Sequence, residues 1–361
     1  MPHYSIKFVL LAAVSIFILP LLSGCAPARD LDSQIREATN PYRFRLLNWE
    51  LKSLSGEAEK ILLRRQTATD NATSQERLLE QRIREAYSAQ GIYNPLDRFM
   101  KLKVNFPPVN IYLARPPHLL VVSPRDRIES IRSVTLLPDM DEKEMAAVEA
   151  RIDDLGYSSL VVELGGLATF PSYVSNQADT KYIIKTAAEE WLHQYLAFTP
   201  LGFLYVLDTA GIRQDYDIAT MNETVASMVS QEIGDIIYQK YYAPPATNSA
   251  APEASEKGFD FNKAMREIRQ AVDSYLARGE IETAETFMAQ QRQYLAANGY
   301  YIRKLNQAYF AFYGTYADSP TSISPIGTEL KKLRSESASL KDFLARASVM
   351  TGRRDLAESV R

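Results

Sequence analysis

Cysteine is nearly absent from this sequence. The 361 residues contain a single one, Cys25, so the chain cannot close an internal disulfide and has no thiolate cluster for a structural zinc site. Histidine is almost as scarce, with His3, His118 and His193 as the full set. A zinc site of three histidines would need His3, which lies in a leader that we expect to be removed. Such a site is therefore excluded from the mature chain.

A large excess of charge of one sign is also missing. The chain has 41 basic and 44 acidic residues and a formal net charge of -3, which gives no electrostatic basis for binding nucleic acid or an anionic membrane surface. We expect no nucleic-acid partner. With 46% hydrophobic and 24% charged residues, the composition is that of an ordinary globular protein, large enough for two modest domains or one large one.

The first 24 residues have the pattern of an export signal. Lys7 precedes an apolar run from Phe8 to Leu22, which ends in Leu-Ser-Gly-Cys at Cys25. This ending resembles the lipobox of bacterial lipoproteins, whose cysteine thiol takes a diacylglycerol anchor. The alternative is an uncleaved transmembrane anchor, although the run is shorter than the ~20 residues that a span needs. Both interpretations place the rest of the chain in the cell envelope, outside the cytoplasmic membrane.

Residues 25–98 are predicted to form an N-terminal helical segment. From Asp30 to about Tyr93, apolar residues recur at helical intervals among many charged ones. Two or three helices account for this pattern. They could form a stalk or a lid, or simply cover the core.

Residues 99–246 are predicted to form the core, which begins with strands. Four short apolar or β-branched runs are bounded by prolines and glycines, which indicates four strands of one small mixed or antiparallel sheet. They are Val109–Leu113, Leu119–Val122, Val134–Leu137 and Leu160–Leu164. Between the last two, the pattern from Asp141 to Leu155 predicts an amphipathic helix capped by Asp139 or Asp141.

The last third of the chain is predicted to be helical. Residues 247–258 are small and polar and form a linker or an exposed loop. Helical patterns then follow within residues 259–361 at Phe261–Arg278, Ile281–Asn298, Tyr300–Tyr316 and Leu330–Met350. The predicted fold class is therefore α+β, mainly helical.

Two of the predicted helices carry side chains that bind metals. Over Thr186–Phe198, with Pro200 stopping the run, Glu189 and His193 fall at i and i+4, and Glu190 lies beside them. A later helical stripe over Met221–Gly234 places Glu223 near the start of a second helix. Residues at i and i+4 share one helix face, so the two helices could meet across a single metal site.

These two segments, EEWLH and NETVA, resemble the zinc-binding helices of gluzincin-type zinc metallopeptidases, some of which are aminopeptidases. That family carries His-Glu-x-x-His on one helix and a third ligand, a Glu often preceded by Asn, on a later helix. The resemblance implies that Glu190 is the general base and that His193 and Glu223 bind the metal. Glu189 occupies the position of the first ligand, where the family has a histidine. The implied fold is a zincin-like core.

The substitution at Glu189 changes the expected chemistry. A set of two carboxylates and one imidazole is harder and more anionic than the family's set, so manganese or iron becomes an alternative to zinc, the first expectation. An additional carboxylate also cancels part of the metal charge that acidifies a bound water. The chain is then either a metallopeptidase with an unusual site or a protein that has kept the fold and lost the chemistry, without any metal.

Two further features bear on the resemblance. Gluzincins commonly supply a tyrosine or histidine from a C-terminal helical part to stabilise the oxyanion, which implies Tyr309 or Tyr313, in a run that also holds Asn306 and Tyr316. Aromatic residues at helical spacing also commonly belong to a core. The pair Gly165-Gly166 either lets a peptide approach closely or forms an ordinary turn.

Three functions are thus open. The first is a membrane-anchored extracytoplasmic metallopeptidase that hydrolyses peptides with a metal-activated water. The second is an inactive envelope lipoprotein that uses the same scaffold to bind a protein or to support structure. In the third, Glu189, Glu190 and Glu223 are ordinary helix charges that point to solvent, away from one another.

Overall fold

The computed structural model describes residues 29–46, 48–49, 74–95, 103–243 and 259–361. The predicted export signal, the predicted lipidation site at Cys25 and the predicted linker at 247–258 lie outside the described residues. The described helices are α1 (Arg29–Thr39), α2 (Ser74–Ala89), α3 (Glu142–Asp153), α4 (Thr180–Leu196), α5 (Pro200–Thr209), α6 (Tyr216–Tyr241), α7 (Phe261–Ala277), α8 (Ile281–Ala297), α9 (Gln307–Tyr313), α10 (Ile326–Ser335), α11 (Leu340–Ala347) and α12 (Arg353–Ser359). The strands are β1 (Ile111–Leu113), β2 (His118–Pro124), β3 (Arg132–Leu136), β4 (Tyr157–Glu163), β5 (Gly166–Leu167) and β6 (Ser172–Val174).

The first sheet is antiparallel, with the strand order β3-β2-β4. Its β-branched and leucine side chains are buried on both faces. One face packs on α1 and α3 through residues such as Leu120, Leu136 and Ile152. Helix α3 confirms the predicted helix, and Asp141 is its N-cap. The Asp141 carboxylate accepts from the Glu144 N–H, and the Glu144 carboxylate accepts from the Asp141 N–H, which together form a capping box.

The second sheet is small and mixed, with the order β1-β6-β5. Strand β1 pairs parallel to β6, and β5 pairs antiparallel to β6 at the edge. The prediction of four strands is confirmed, but their placement in one sheet is wrong because β1 belongs to this second sheet. Gly166 is part of strand β5, so of the two alternatives for the Gly165-Gly166 pair the ordinary turn does not describe this residue. Two short partners, β5 and β6, carry too few residues to give a strand pattern of their own.

The largest hydrophobic core surrounds α4 and α6. It joins these helices with α2 and with the last three helices, α10 to α12. Two buried hydrogen bonds fix α4 against its neighbours: Trp191 Nε1 donates to the Pro107 carbonyl at 2.8 Å, and the Tyr87 hydroxyl donates to the Ala188 carbonyl at 2.9 Å. Because both partners are buried, displacing α4 would leave polar groups unsatisfied. The helix is therefore a rigid support.

The C-terminal residues depart from the prediction in their helix bounds. The tyrosine-rich run is helical only at α9, and Leu330–Met350 is two helices, α10 and α11, broken at Ser339, which caps α11. Pro200, predicted to stop a helix, also starts α5, since proline is well suited to the first helical position. Helices α7 and α8 form a hairpin with its own core, and α9 packs on the free face of the first sheet.

The described part of the chain is mainly helical with two small sheets, as the α+β prediction states. Among the described helices, none combines the length and the apolar character that a membrane crossing requires.

Candidate metal centre

The site lies between α4 and α6, and both helices begin at a defined cap. Asp179 accepts from the Tyr182 N–H at 3.0 Å, and Asp215 accepts from the Ile218 N–H at 3.2 Å. The caps fix where each helix starts and hence which residues face the neighbouring helix. Both predicted helices are confirmed, although α4 starts six residues before Thr186 and α6 starts five before Met221.

Three side chains of the predicted ligand set meet at one point. Glu189, His193 and Glu223 each offer one ligand atom, and these atoms all lie within 4.8 Å of one another. His193 Nε2 is 3.5 Å from Glu223 Oε2, and the side chains of these two residues are only 10% and 12% exposed. The expectation that these residues are ordinary charges pointing to solvent, away from one another, is therefore wrong.

Asn222, next to Glu223 in the sequence, orients the imidazole. His193 Nδ1 is 2.9 Å from Asn222 Oδ1, and the asparagine is fully buried. Since an amide oxygen only accepts hydrogen bonds, Nδ1 carries the proton, which leaves Nε2 directed at Glu223. A hydrogen bond of this type, from the nitrogen that does not bind metal, is the usual way in which proteins orient a metal-binding histidine.

Glu190 lies beside this cluster, against strand β5. A Cβ placed on Gly166 would be 2.4 Å from Glu190 Oε1 and 2.7 Å from its Cγ. Only a glycine fits here, because contacts of this length are far inside van der Waals distance. The absence of a side chain at Gly166 therefore gives the Glu190 carboxylate its place, between an edge strand and the three ligand-type side chains.

Two tyrosines hold Glu223. The Tyr205 hydroxyl donates to Glu223 Oε1 and the Tyr205 ring stacks on His193 at 5.8 Å, while Tyr316 also donates to the Glu223 carboxylate. These donors fix the carboxylate and still leave its second oxygen facing the imidazole. Tyr205 comes from α5 and Tyr316 follows α9, so two separate parts of the chain hold one carboxylate of α6.

Tyr309 and Tyr313 are not at the site, contrary to the expectation drawn from the resemblance. Both pack against the first sheet, with their rings 4.5 Å apart at i and i+4 on one face of α9. The cleft beside the metal ligands is instead lined from this region by Phe312, Thr315 and Tyr316. The helix ends at Tyr313, and so the chain after it turns Tyr316 toward Glu223.

The electrostatics of the site are those of buried carboxylates around one imidazole. Burial raises the pKa of Glu189 to about 7 and that of Glu190 to about 8, with His193 opposing both shifts. Burial alone would lower the pKa of His193, but the carboxylate of Glu223, then those of Glu190 and Glu189, outweigh it and raise that pKa to about 10. For Glu223, burial is outweighed by His193 and the two tyrosines, so its pKa is below the usual value.

The residues present fit a divalent cation. Glu189 Oε1 is buried and has no hydrogen-bond partner, a costly state that coordination would relieve. His193 directs Nε2, the nitrogen that would bind a metal, toward Glu223. Its imidazole is the positively charged group beside the buried carboxylates. Two carboxylates and one imidazole form an accepted donor set for zinc, manganese or iron.

A cleft of about 1550 Å³ gives access to the centre. Its inner end is lined by Glu190, His193 and Glu223, and strand β5 with Thr169 forms one side. Gln194 supports that side, since its amide is bonded to the Thr169 carbonyl and lies 2.8 Å from Ser172 Oγ. The cleft is large enough for several residues of an extended peptide beside the edge strand.

Comparisons with protein-family models, with curated proteins and with solved structures return no match. The chemistry of the site therefore has to be inferred from its own geometry.

Sequence reasoning missed three residues of the site. Asn222 had a signal, because NETVA places it directly before the predicted ligand Glu223. Gly166 had a weaker one, since a Gly-Gly pair after a strand predicts close approach but not to which side chain. Tyr205 had none: it lies in an apolar stretch after Pro200 whose helix was not predicted.

Proposed function

We propose that this chain is a membrane-anchored, extracytoplasmic metallopeptidase of the gluzincin type, with Glu189 in place of the first histidine. The observation that carries the proposal is the convergence of Glu189, His193 and Glu223 within 4.8 Å, with Glu190 beside them at the edge of a sheet. A zincin-like core would place the same groups in the same order. The anchor is the lipidated Cys25.

The proposed division of labour follows from the positions of the side chains. Glu189, His193 and Glu223 hold the cation, which when bound supplies positive charge that polarises the scissile carbonyl and acidifies water. Asn222 keeps the imidazole in the tautomer that frees Nε2. Strand β5, at the edge of its sheet, aligns a peptide by strand addition.

Glu190 is the proposed general base. Its carboxylate would accept a proton from the water as the C–O bond forms, and would then give that proton to the amine nitrogen, after which the C–N bond breaks. Without a cation its pKa is about 8, which would keep it largely protonated at neutral pH. A nearby positive charge lowers the pKa of a carboxyl. The base is therefore active only when the ligand set is filled.

The second candidate is an inactive lipoprotein that binds a protein with this scaffold. Glu189 favours it, because a third carboxylate at the centre cancels positive charge that the chemistry needs. The substitution Glu189→His separates the two. It should raise zinc affinity and create or increase peptidase activity if the remaining machinery is intact, whereas an enzyme adapted to manganese or iron should lose native activity and shift its preference toward zinc.

The direct test is metal content of the full chain, expressed with its own leader and purified in detergent under metal-replete conditions. We expect one divalent ion per chain, lost in His193→Ala and kept in Glu190→Gln, which should abolish peptide hydrolysis. A parent with neither metal nor peptidase activity, and a Glu189→His variant equally without both, would leave the binding protein as the surviving function.

The anchor has its own test. Cys25→Ser should abolish incorporation of labelled fatty acid and leave a precursor or a released form. Fatty-acid incorporation that persists in this variant would show that the lipoprotein assignment is wrong, without bearing on the metal centre.

A further inference from the structure

Helix α5 presents an unusual surface next to the candidate site. Of its residues only Leu201 and Gly202 are buried, and the helix carries a single charged residue, Asp208. Phe203 is 44% exposed, and Ile212, in the turn that leads to α6, is 53% exposed. Large exposed apolar side chains near both ends of one short segment are available to contact something other than water.

A chain of contacts places this turn next to the start of α1. Arg132 Nε donates to Asp32, in the first turn of α1, at 2.6 Å. The adjacent carbonyl of Ile131 accepts from Gln214, in the turn after α5, at 3.1 Å. The first turn of α1 and the turn that holds Ile212 therefore lie on the same side of the molecule, linked through two neighbouring residues of one strand end.

The proposed lipid anchor is close to this side. Cys25 precedes Arg29, the first residue of α1, by four residue steps, and a fully extended chain covers at most about 14 Å in that number of steps. This limit holds for any arrangement of the intervening residues. An acylated Cys25 at a membrane surface thus holds the start of α1, and with it the turn after α5, near the lipid.

The same two elements form walls of the cleft. Asp32 and Arg36 of α1 line it on one side, and Val206 and Asp208 of α5 line it on another. The part of the cleft that these residues line is therefore next to the anchored side of the molecule.

We propose that the exposed apolar edge of α5, from Phe203 to Ile212, inserts into the headgroup region of the membrane that carries the acyl chains, so that the cleft opens at the lipid surface. The inference rests on the lipid anchor in the proposed function. Transfer of the phenylalanine and isoleucine side chains from water to this depth is favourable. The lipid anchor already holds the chain at the membrane, so the apolar edge is next to the surface that it contacts. The proposed occupant of the apolar edge is lipid.

The test uses the scarcity of cysteine. In the full-length lipidated chain Cys25 is acylated, so Ile212→Cys introduces a single reactive thiol, which we would label with an environment-sensitive fluorophore. The matched control is Ile236→Cys, at an isoleucine that is 38% exposed and that lies about 30 Å along α6 from its first residue. Both proteins are reconstituted in vesicles of phosphatidylethanolamine and phosphatidylglycerol, with and without lipids that carry a quencher.

We expect several-fold stronger quenching by the lipid-borne quencher at position 212 than at position 236, together with protection of position 212 from iodide. Equal quenching at the two positions, in proteins that float with the vesicles and have the mass of the acylated chain, would overturn the proposed contact and leave the anchor intact. Failure of both proteins to float would overturn the anchor and this inference together, and would not affect the metal measurement. A label at 212 that is shielded in cells but open to iodide in vesicles would show a protein partner in place of lipid.

Discussion

Replacing Asn222 by leucine tests whether the imidazole of His193 is a metal ligand. The amide oxygen of Asn222 is the partner of Nδ1 at 2.9 Å, and loss of such an orienting hydrogen bond typically lowers metal affinity by 10- to 100-fold, about 1.4 to 2.8 kcal/mol. Asn222 is fully buried and its Nδ2 has no hydrogen-bond partner. Leucine has the same number of side-chain heavy atoms and removes that unsatisfied group, but it also leaves the Nδ1–H of His193 without its acceptor, so the free energy of unfolding of the metal-free protein should fall by ~1–3 kcal/mol.

The assay is zinc affinity by competition with a chromophoric chelator at fixed pH, with unfolding by denaturant measured on the metal-free protein. Ser230→Ala is the control, because it removes a buried hydrogen bond of the same helix, to Ser227 at 3.0 Å, away from the site. The control should keep the parent's zinc affinity. An Asn222→Leu protein that binds zinc within about two-fold of the parent would refute the view that Nδ1 is held so that Nε2 can bind metal.

Two other predictions concern Glu190 and the charge of the centre. Gly166→Ala places a Cβ 2.4 Å from Glu190 Oε1. It should destabilise the fold by ~1–3 kcal/mol and lower peptide hydrolysis about 100-fold. The metal stoichiometry should be unchanged, because Glu189, His193 and Glu223 lie on α4 and α6 and not on β5. Unchanged stability in denaturant would contradict the tight fit. In the metal-free protein, the pKa of Glu189 is raised from 4.5 to about 7 and that of His193 from 6.5 to about 10. At a pH between the unfolded and folded pKa of either group, the folded state holds more protons than the unfolded state. The melting temperature should therefore fall as pH rises from about 5 through 9. Stabilisation by zinc should grow over the same range, because zinc binds the deprotonated groups. A melting temperature that rises with pH in chelator would be inconsistent with this charge arrangement.

The sequence predicted those helices and strands whose apolar residues follow a regular pattern. The helices that carry Glu189 and Glu223 show apolar residues at helical spacing, and the strands at 119–122 and 160–164 are runs of leucine and valine bounded by breakers. Their spacing was enough to place the ligand-type side chains on facing helices. The i, i+4 geometry puts Glu189 and His193 on one face of α4, whereas the approach of Glu223 depends on how α6 packs against α4.

The parts that could not be predicted depend on contacts between distant residues. Strands β5 and β6 have no pattern of their own, because β6 forms by pairing with β1, more than fifty residues earlier in the chain, and β5 forms by pairing with β6. Tyr316 reaches Glu223 because α9 stops at Tyr313. The C-cap, Gly314, marks this helix end in the sequence but not the direction that the chain takes after it. The helical spacing of Tyr309 and Tyr313 fits a core position as well as a position at the site, and packing places both against the first sheet.

One feature of the core has a consequence for when the centre forms. The apolar backs of α4 and α6 are covered by residues of α10 to α12, close to the last residue of the chain, and Arg334 of α10 pairs with Glu232 of α6 at 2.7 Å. A growing chain folds from its N-terminal end as it is made, and this core lacks a wall until α10 to α12 have been synthesised. Under the proposed function, a chain exported before then would cross the membrane with its ligand-type side chains apart and would take its ion from the envelope in place of the cytosol.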